Sequence, residues 1–162
     1  MLCDTAREAG VDPITLLALS RAESVVDATA ERYGGYTHKA QQALALRDME
    51  GFAKVIVLAG ADVSFSEFQL TLGFGFWKDQ TPSVENILAF RQYLQSHREE
   101  IMLYVGKWLV ETLPTVDNDP LRAFVKFNSG GDNLNKSWYI QNYGDNIQRY
   151  RDALAWAEDY RI

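Results

Sequence analysis

Apolar residues recur every three or four positions through most of this 162-residue chain, and this spacing is what most restricts its fold. Residues three and four apart lie on one face of a helix, so the pattern predicts amphipathic helices packed around a core. Alternating runs of strand length are nearly absent. We therefore expect an all-α protein, or α+β at most with a small hairpin.

The length and composition predict one compact domain over residues 1–162. Hydrophobic residues make up 47% of the chain, which is enough to form a sizeable core. The net charge of -6 argues against a nucleic-acid partner, because such partners require clustered Lys and Arg. The first ten residues, MLCDTAREAG, include acids and lack a long apolar run. We expect neither a signal peptide nor a membrane span, and a domain cut from a longer protein is compatible with this start.

Polar residues mark several helix boundaries. Asp12 before Pro13 predicts a helix start, because the Asp oxygen can accept an early backbone N–H and Pro loses no bond in the first turn. Asp119 before Pro120 has the same form. Other helices are predicted from Thr37, over 49–60, over two segments of 83–113 joined near Ser96-His97, and from about Asp145 to Asp159. The segments VDATAERYGGY, FNSGGDNLN and YIQNYG are predicted to be loops.

The helix that begins at Pro13 ends in a charged residue on its apolar face. Glu23 follows Leu19 by four positions and Leu16 by seven, so its side chain is expected to point toward the core. Burial and the partial negative charge of the helix C-terminus both predict a raised pKa for Glu23. A protonated glutamic acid suits general acid catalysis on a glycosidic oxygen. The alternative is a solvated helix-end Glu paired with Arg21.

Four segments resemble, in the same order, those of soluble lytic transglycosylases and goose-type lysozymes. GVDPITLLALSRAES, residues 10–24, is similar to the catalytic helix of that family, which ends in Glu-Ser. SFSEFQLT, residues 64–71, resembles the Gly-Leu-Met-Gln segment, with Phe68 at the Met position and Gln69 at the Gln position.

The other two segments lie near the C-terminal end. KFNSGG resembles the Tyr-Asn-Ala-Gly segment, with Phe127 for the Tyr and Asn128 for the Asn. NYGDNIQRY resembles the closing Tyr segment, in which Tyr143 is the best match. The resemblance covers about residues 8 to 155.

The chain also departs from the family pattern. Ser66 replaces the Gly of the second segment and Glu67 replaces the Leu. Gly takes a positive φ at little cost and Ser does not, so the replacement leaves open whether Ser66 keeps the backbone conformation of the family segment. Residues 29–63 form a longer connection than in the shortest family members and are expected to cover the cleft as a flap.

The resemblance implies a lysozyme-like fold with a glycan cleft, and Glu23 as the acid that cleaves the β-1,4 bond between N-acetylmuramic acid and N-acetylglucosamine. Peptidoglycan glycan strands are the expected partner, with no cofactor. The chain is also similar to peptidoglycan-degrading domains of bacteriophage tails and virions. That similarity implies action on the bacterial cell wall. The protein is then expected either to be part of the virion or to be released from the cell without a signal peptide, and to contact other virion or tail proteins. The expected substrate-binding residues are Ser24, Ser66, Phe68, Gln69, Phe127, Asn128 and Tyr143.

These residue types suit a glycan. Gln69 and Asn128 can donate and accept, so they can bind an N-acetyl group or hold Glu23, although capping and loop hydrogen bonds are the alternative. The Tyr143 hydroxyl can orient the Glu23 carboxyl, with packing as its alternative. Ser24 can serve the backbone or the acid. Several aromatic residues can either form the floor of sugar subsites or pack in the core. They are Tyr33, Tyr36, Phe65, Trp77 and Trp138.

Metal and thiol chemistry have little support. His38 and His97 are far apart without a ligand at metal-binding spacing, and Cys3 lacks an obvious base. We therefore predict no metal site.

Hydrolysis would need a second carboxylate, whereas a transglycosylase needs one acid. The candidates for a second acid are Asp27, Asp62 and, above all, Glu31 and Glu67. Since no motif fixes any of them, the single-acid interpretation is favoured. The alternatives are a muramidase hydrolase, a non-catalytic glycan-binding structural virion module of the same fold, and an unrelated helical interaction domain.

Overall fold

The computed structural model describes residues 1–24, 31–33, 43, 46–59, 63–66, 68–72 and 81–161. Over these ranges the protein is mostly helical, which confirms the predicted all-α class, and it carries one small sheet of short strands. The elements are α1 (Leu2–Ala9), α2 (Pro13–Ser24), β1 (Glu31–Tyr33), α3 (Met49–Ala59), β2 (Val63–Phe65), β3 (Leu70–Thr71), α4 (Val84–Ser96), α5 (Arg98–Thr112), a 3-10 turn (Leu113–Val116), α6 (Pro120–Ser129) and α7 (Ser137–Glu158).

The chain forms two compact units. The first joins Met1–Val26 to Glu99–Ile162, and the second is Asp27–Arg98. The second unit is thus inserted between two parts of the first. A single lysozyme-like domain over 1–162 stays a prediction.

Aspartate caps begin two helices of the first unit, as predicted. The Asp12 Oδ1 atom accepts the backbone N–H of Ile14 at 3.0 Å, and the Asp119 Oδ1 atom accepts that of Leu121 at 2.9 Å. Each of these bonds satisfies an N–H that a helix start leaves without an intrahelical partner. Between α4 and α5 the break falls at His97, where it was expected.

The prediction of a loop over YIQNYG, residues 139–144, is wrong. These residues belong to α7, whose backbone departs from helical geometry at Tyr143 (φ -134°, ψ 24°). Tyr139 is fully buried, and its packing stabilises a helical turn that its local sequence does not favour. The helix predicted from Thr37 lies largely outside the described residues. The loop predicted over VDATAERYGGY, residues 26–36, is described only at residues 31–33, where the prediction is wrong because these residues form β1 and pair with β2.

The first unit has its core between α2 and α7, with α1 and α6 packed at their sides. Leu16 and Leu19 of α2 are fully buried. Full burial of such a side chain contributes about 1.5–3 kcal/mol. The ring of Phe124 on α6 meets that of Tyr150 on α7 edge to face, with centroids 5.7 Å apart. This packing fixes the rotation of α7, which carries most of the site residues described below.

The second unit contains an antiparallel sheet in the order β1-β2-β3 and the helix pair α3 and α4. Glu31 pairs with Phe65, and Phe65 pairs with Leu70 across the next ladder. Phe65 also meets Phe90 of α4 edge to face at 6.1 Å between ring centroids. Phe65 is therefore a core residue of this unit.

Candidate functional site

Glu23 is a buried acid at the end of α2. Its side chain continues the stripe of Leu16 and Leu19, and 8% of the residue is exposed, which confirms the predicted orientation toward the core. The Glu23 Oε1 atom accepts a 2.8 Å hydrogen bond from the hydroxyl of Tyr150. The alternative of a solvated glutamate is wrong, because Glu23 is buried. The Arg21 guanidinium carbon lies 4.9 Å from the centre of the Trp156 ring.

Tyr150 is the hydrogen-bond donor that orients the acid, a role predicted for Tyr143. Tyr150 is fully buried, and burial, followed by the charge of Glu23 and the hydrogen bond to it, raises the pKa of its phenol. The hydroxyl therefore stays protonated and remains a donor at any pH near neutrality. A signal for this residue exists in the sequence, because Tyr150 shares a helical face with the buried residues Ile147, Ala153 and Ala157.

Tyr143 lies at the break in α7 and exposes 46% of its surface. Its ring is tilted against that of Tyr139 at 5.2 Å and meets the edge of Trp138 at 6.4 Å. Trp138 is 48% exposed. Tyr143 and Trp138 thus present an aromatic surface to solvent on the N-terminal part of α7.

Asn128, in the last turn of α6, has an amide whose orientation is fixed. Its Oδ1 atom accepts the Tyr139 hydroxyl at 3.1 Å and the Asn146 Nδ2 group at 3.3 Å. Both donors bind the side-chain oxygen, so the Nδ2 group of Asn128 points away from them and can act as a donor. Asn128 itself is an exposed residue. Burial raises the pKa of Tyr139, and the charge of Glu23 also raises it. Asn128 and Glu23 thus each accept a hydrogen bond from a buried tyrosine of α7.

Arg149, beside Tyr150 in the chain, is a charged residue of this cluster that the sequence interpretation missed. Its guanidinium carbon lies 5.4 Å from the centre of the Tyr150 ring. The Nε and Nη2 atoms are buried, and within the part of the chain that the structure describes they have no hydrogen-bond partner.

Two other predicted residues of the first unit make structural contacts. The Ser24 hydroxyl donates to the backbone carbonyl of Ser20 at 3.3 Å, which is the backbone role left open for it. Phe127 meets the Trp108 ring edge to face, with centroids 5.1 Å apart. Their roles toward a substrate stay predictions.

The segment SFSEFQLT lies in the second unit, where the described residues form the turn between β2 and β3. Ser66 takes a φ of 74°, the left-handed conformation that the Gly of the family pattern would take easily. Its carbonyl oxygen accepts both the backbone N–H of Gln69 at 3.1 Å and the Gln69 Nε2 group at 2.8 Å. Phe68 is fully buried, and the buried Oε1 of Gln69 has no partner among the residues described.

Most candidates for a second acid lie outside the described residues, namely Asp27, Asp62 and Glu67. For Glu31 and Tyr33 the structure gives backbone positions in β1 and no side-chain surroundings. Tyr36, His38 and Trp77 also lie outside the described residues.

A cavity of about 600 Å³ lies between α2 and α7. It is lined by Arg21, Asp145, Gln148, Arg149, Asp152 and Trp156, together with Ala22 and Ala153. Glu23 is absent from this lining, so this cavity is not the predicted glycan cleft.

No group of His, Cys, Asp or Glu side chains among the described residues could hold a metal ion. None of the helices over those same residues has the length and apolar character needed to cross a membrane.

No protein-family model, curated protein or solved structure matches this chain.

Proposed function

We propose that this protein is a peptidoglycan lytic transglycosylase that uses Glu23 as general acid and then as general base. The observation that carries this proposal is the buried Glu23 carboxyl held by the Tyr150 hydroxyl at 2.8 Å. Burial disfavours the carboxylate, whereas the donated hydrogen bond favours it. A group that gives up a proton and then takes one back works best when neither form is strongly preferred, and these two influences on Glu23 act in opposite directions.

The reaction requires no second carboxylate. Glu23 gives its proton to the glycosidic oxygen while the bond from that oxygen to C1 of N-acetylmuramic acid breaks. The C6 hydroxyl of the same sugar then bonds to C1, and its proton passes to the Glu23 carboxylate, which restores the acid. The products are a new N-acetylglucosamine hydroxyl end and a 1,6-anhydromuramoyl end. The protein thus acts on the bacterial cell wall.

The surroundings of Asn128 suit an N-acetylated sugar. Because the Asn128 Oδ1 atom already accepts two hydrogen bonds, its Nδ2 group is positioned to donate to an acetyl carbonyl. The exposed rings of Trp138 and Tyr143 offer apolar faces on which a sugar ring can pack. Both features lie in the same unit as Glu23.

Digestion of purified sacculi tests the proposal. The wild-type protein should release muropeptides with 1,6-anhydromuramoyl ends in mass spectrometry, and Glu23→Gln should release none above background. Glu99→Gln, which changes an exposed acid on α5, should behave as wild type. Release by Glu23→Gln at the wild-type rate would refute the assignment of the acid.

The nature of the ends separates the alternatives. Reducing muramic acid ends, lost on changing Glu31 or Glu67 to its amide, would identify a muramidase hydrolase with a second carboxylate. Retention of the protein on sacculi without released muropeptides would identify a glycan-binding structural module.

A second variant tests the substrate contact. Asn128→Asp keeps an acceptor for Tyr139 and Asn146 and removes the amide donor. The variant should keep its thermal unfolding midpoint and show a KM for glycan strands raised about tenfold. This is the loss expected for one hydrogen bond of about 1.4 kcal/mol. An unchanged KM would remove Asn128 from the binding site.

A further inference from the structure

One stripe of α7 carries charged residues that the proposed reaction does not use. Asp145 is followed three and four positions later by Gln148 and Arg149, and Asp152 and Trp156 continue the stripe, so all five lie on one side of the helix. They line the cavity of about 600 Å³ between α2 and α7. A cavity of this volume can hold a small ligand.

The two cations of this cavity have no anionic partner among the described residues. Arg149 is half-buried, and its buried Nε and Nη2 atoms have no hydrogen-bond partner within the described ranges. Arg21 lines the cavity from α2, with its guanidinium carbon 4.9 Å from the centre of the Trp156 ring. Neither arginine takes part in an ion pair between described residues. The Nε and Nη2 edge of a guanidinium is the one that binds a carboxylate through two parallel hydrogen bonds.

Two acids of the same stripe are also available to a ligand. Asp145 and Asp152 are exposed, and neither forms an ion pair with Arg149, although it lies four positions after the first and three before the second. The Asp152 Oδ1 atom accepts the Gln148 Nε2 group at 2.8 Å, which orients this carboxylate. The acids thus lie nearer to solvent than the buried edge of Arg149.

The balance of charge in the cavity restricts the chemistry of its ligand. Its lining contains two guanidinium groups and two carboxylates. The carboxylates repel a ligand that is only an anion, and the guanidinium groups repel one that is only a cation. A ligand with one carboxylate and one ammonium group can place each beside its opposite charge. The four-residue step from Asp145 to Arg149 rises about 6 Å along the helix, and an extended dipeptide spans at most about 7 Å.

We infer that the cavity between α2 and α7 binds a short peptide of two or three residues by its two free ends. The peptide carboxylate binds the guanidinium edge of Arg149, beside Arg21, and the peptide ammonium group binds Asp145 and Asp152. Because Glu23 does not line the cavity, this binding is independent of the proposed catalysis.

An NMR titration with trialanine tests this inference. In ¹⁵N-labelled protein the indole N–H signal of Trp156 is identified by its loss in Trp156→Phe, and trialanine should shift it to saturation. N-acetyl-trialanine lacks the ammonium group and trialanine amide lacks the carboxylate. Each should bind about tenfold more weakly, since each loses a charge-assisted contact. Inorganic phosphate at the same concentrations should leave the signal in place.

Variants assign the two ends of the peptide. Arg149→Met should bind trialanine about tenfold more weakly and should no longer distinguish it from trialanine amide. Asp145→Asn should lose most of the preference for trialanine over its N-acetyl form. Arg151→Met removes an exposed cation of α7 that does not line the cavity, and it should bind as wild type does. Circular dichroism shows whether each variant is folded, and Arg149→Gln replaces the Met variant if that one unfolds.

Three results would overturn the inference. They are a Trp156 signal that trialanine does not shift, equal affinity for the free and the two blocked peptides, and tighter binding of phosphate than of trialanine. Glu23→Gln should bind trialanine as wild type does. Because the titration needs no glycan and no active acid, its failure and the failure of the proposed function can be distinguished.

Discussion

The Tyr150 hydroxyl and the Glu23 carboxyl are joined by a hydrogen bond of 2.8 Å although 127 residues separate them in the chain. Both side chains are buried, so the bond forms where water does not compete. It joins the last turn of α2 to the middle of α7, the two helices that form the core of the first unit. The acid is consequently positioned by the same packing that holds the unit together.

Tyr150→Phe removes this donor while keeping the ring that packs against Phe124. We expect the free energy of unfolding to fall by about 1–3 kcal/mol, because the Glu23 carboxyl loses a buried partner. Muropeptide release should fall at least tenfold. Urea unfolding and the sacculus assay measure the two effects. Tyr160→Phe, at a residue that is 56% exposed, is the matched control and should change neither. Equal behaviour of the two variants would contradict the role of the bond.

Alkaline pH should destabilise the protein through its buried phenols. The pKa values of Tyr139 and Tyr150 are raised, chiefly by burial. Above pH of about 10 these tyrosines ionise in the unfolded chain and stay protonated in the folded one. The folded state then binds more protons, so its stability is full below this pH and declines above it. Urea unfolding from pH 8 to 11 should show the decline, with a smaller slope for Tyr150→Phe. An identical slope would refute this coupling.

Two glycines of the first unit should respond to Ala in opposite ways. A Cβ at Gly106 of α5 would lie 2.7 Å from the Ala9 Cβ atom, so Gly106→Ala forces the helices apart and should cost about 1–3 kcal/mol. A Cβ at Gly144 of α7 would meet nothing within 4 Å. Gly144→Ala should instead stabilise the helix by about 0.5–1 kcal/mol. Thermal unfolding of both variants checks the pair, and a stabilised Gly106→Ala would show that the contact is not rigid.

The left-handed conformation of Ser66 predicts an order of stability among its variants. Ser66→Ala keeps the unfavourable φ and loses the Oγ acceptor of the Phe68 N–H. Ser66→Gly loses the same acceptor and relieves the backbone. The Gly variant should therefore be more stable than the Ala variant by about 1 kcal/mol in urea unfolding. An Ala variant as stable as the Gly variant would mean that Ser66 does not adopt this conformation in solution.

Local signals made several features predictable from the sequence. Asp12 and Asp119 begin helices because a cap needs the capping residue and the next two or three N–H groups, which are adjacent in the chain. The burial of Glu23 followed from its spacing to Leu19, since a helical face is set by spacing alone.

The partners of the site residues were not predictable in this way. Choosing between Tyr143 and Tyr150 requires the rotation of α7, which depends on the break at Tyr143 and on packing against Phe124. The orientation of the Asn128 amide depends on Asn146, on another helix. Such relationships arise when helices pack. The spacing within α7 places Tyr150 on its buried face but does not say which residue of another helix it meets.

The insertion of the second unit into the first affects the order in which the protein is made. Because the ribosome delivers the chain from its N-terminal side, α2 emerges before the second unit, and the whole second unit emerges before α7 exists. During that interval the nascent chain carries Glu23 without Tyr150. The acid therefore gains its hydrogen-bond donor late in translation, and a polypeptide truncated before residue 150 contains Glu23 without the tyrosine that orients it.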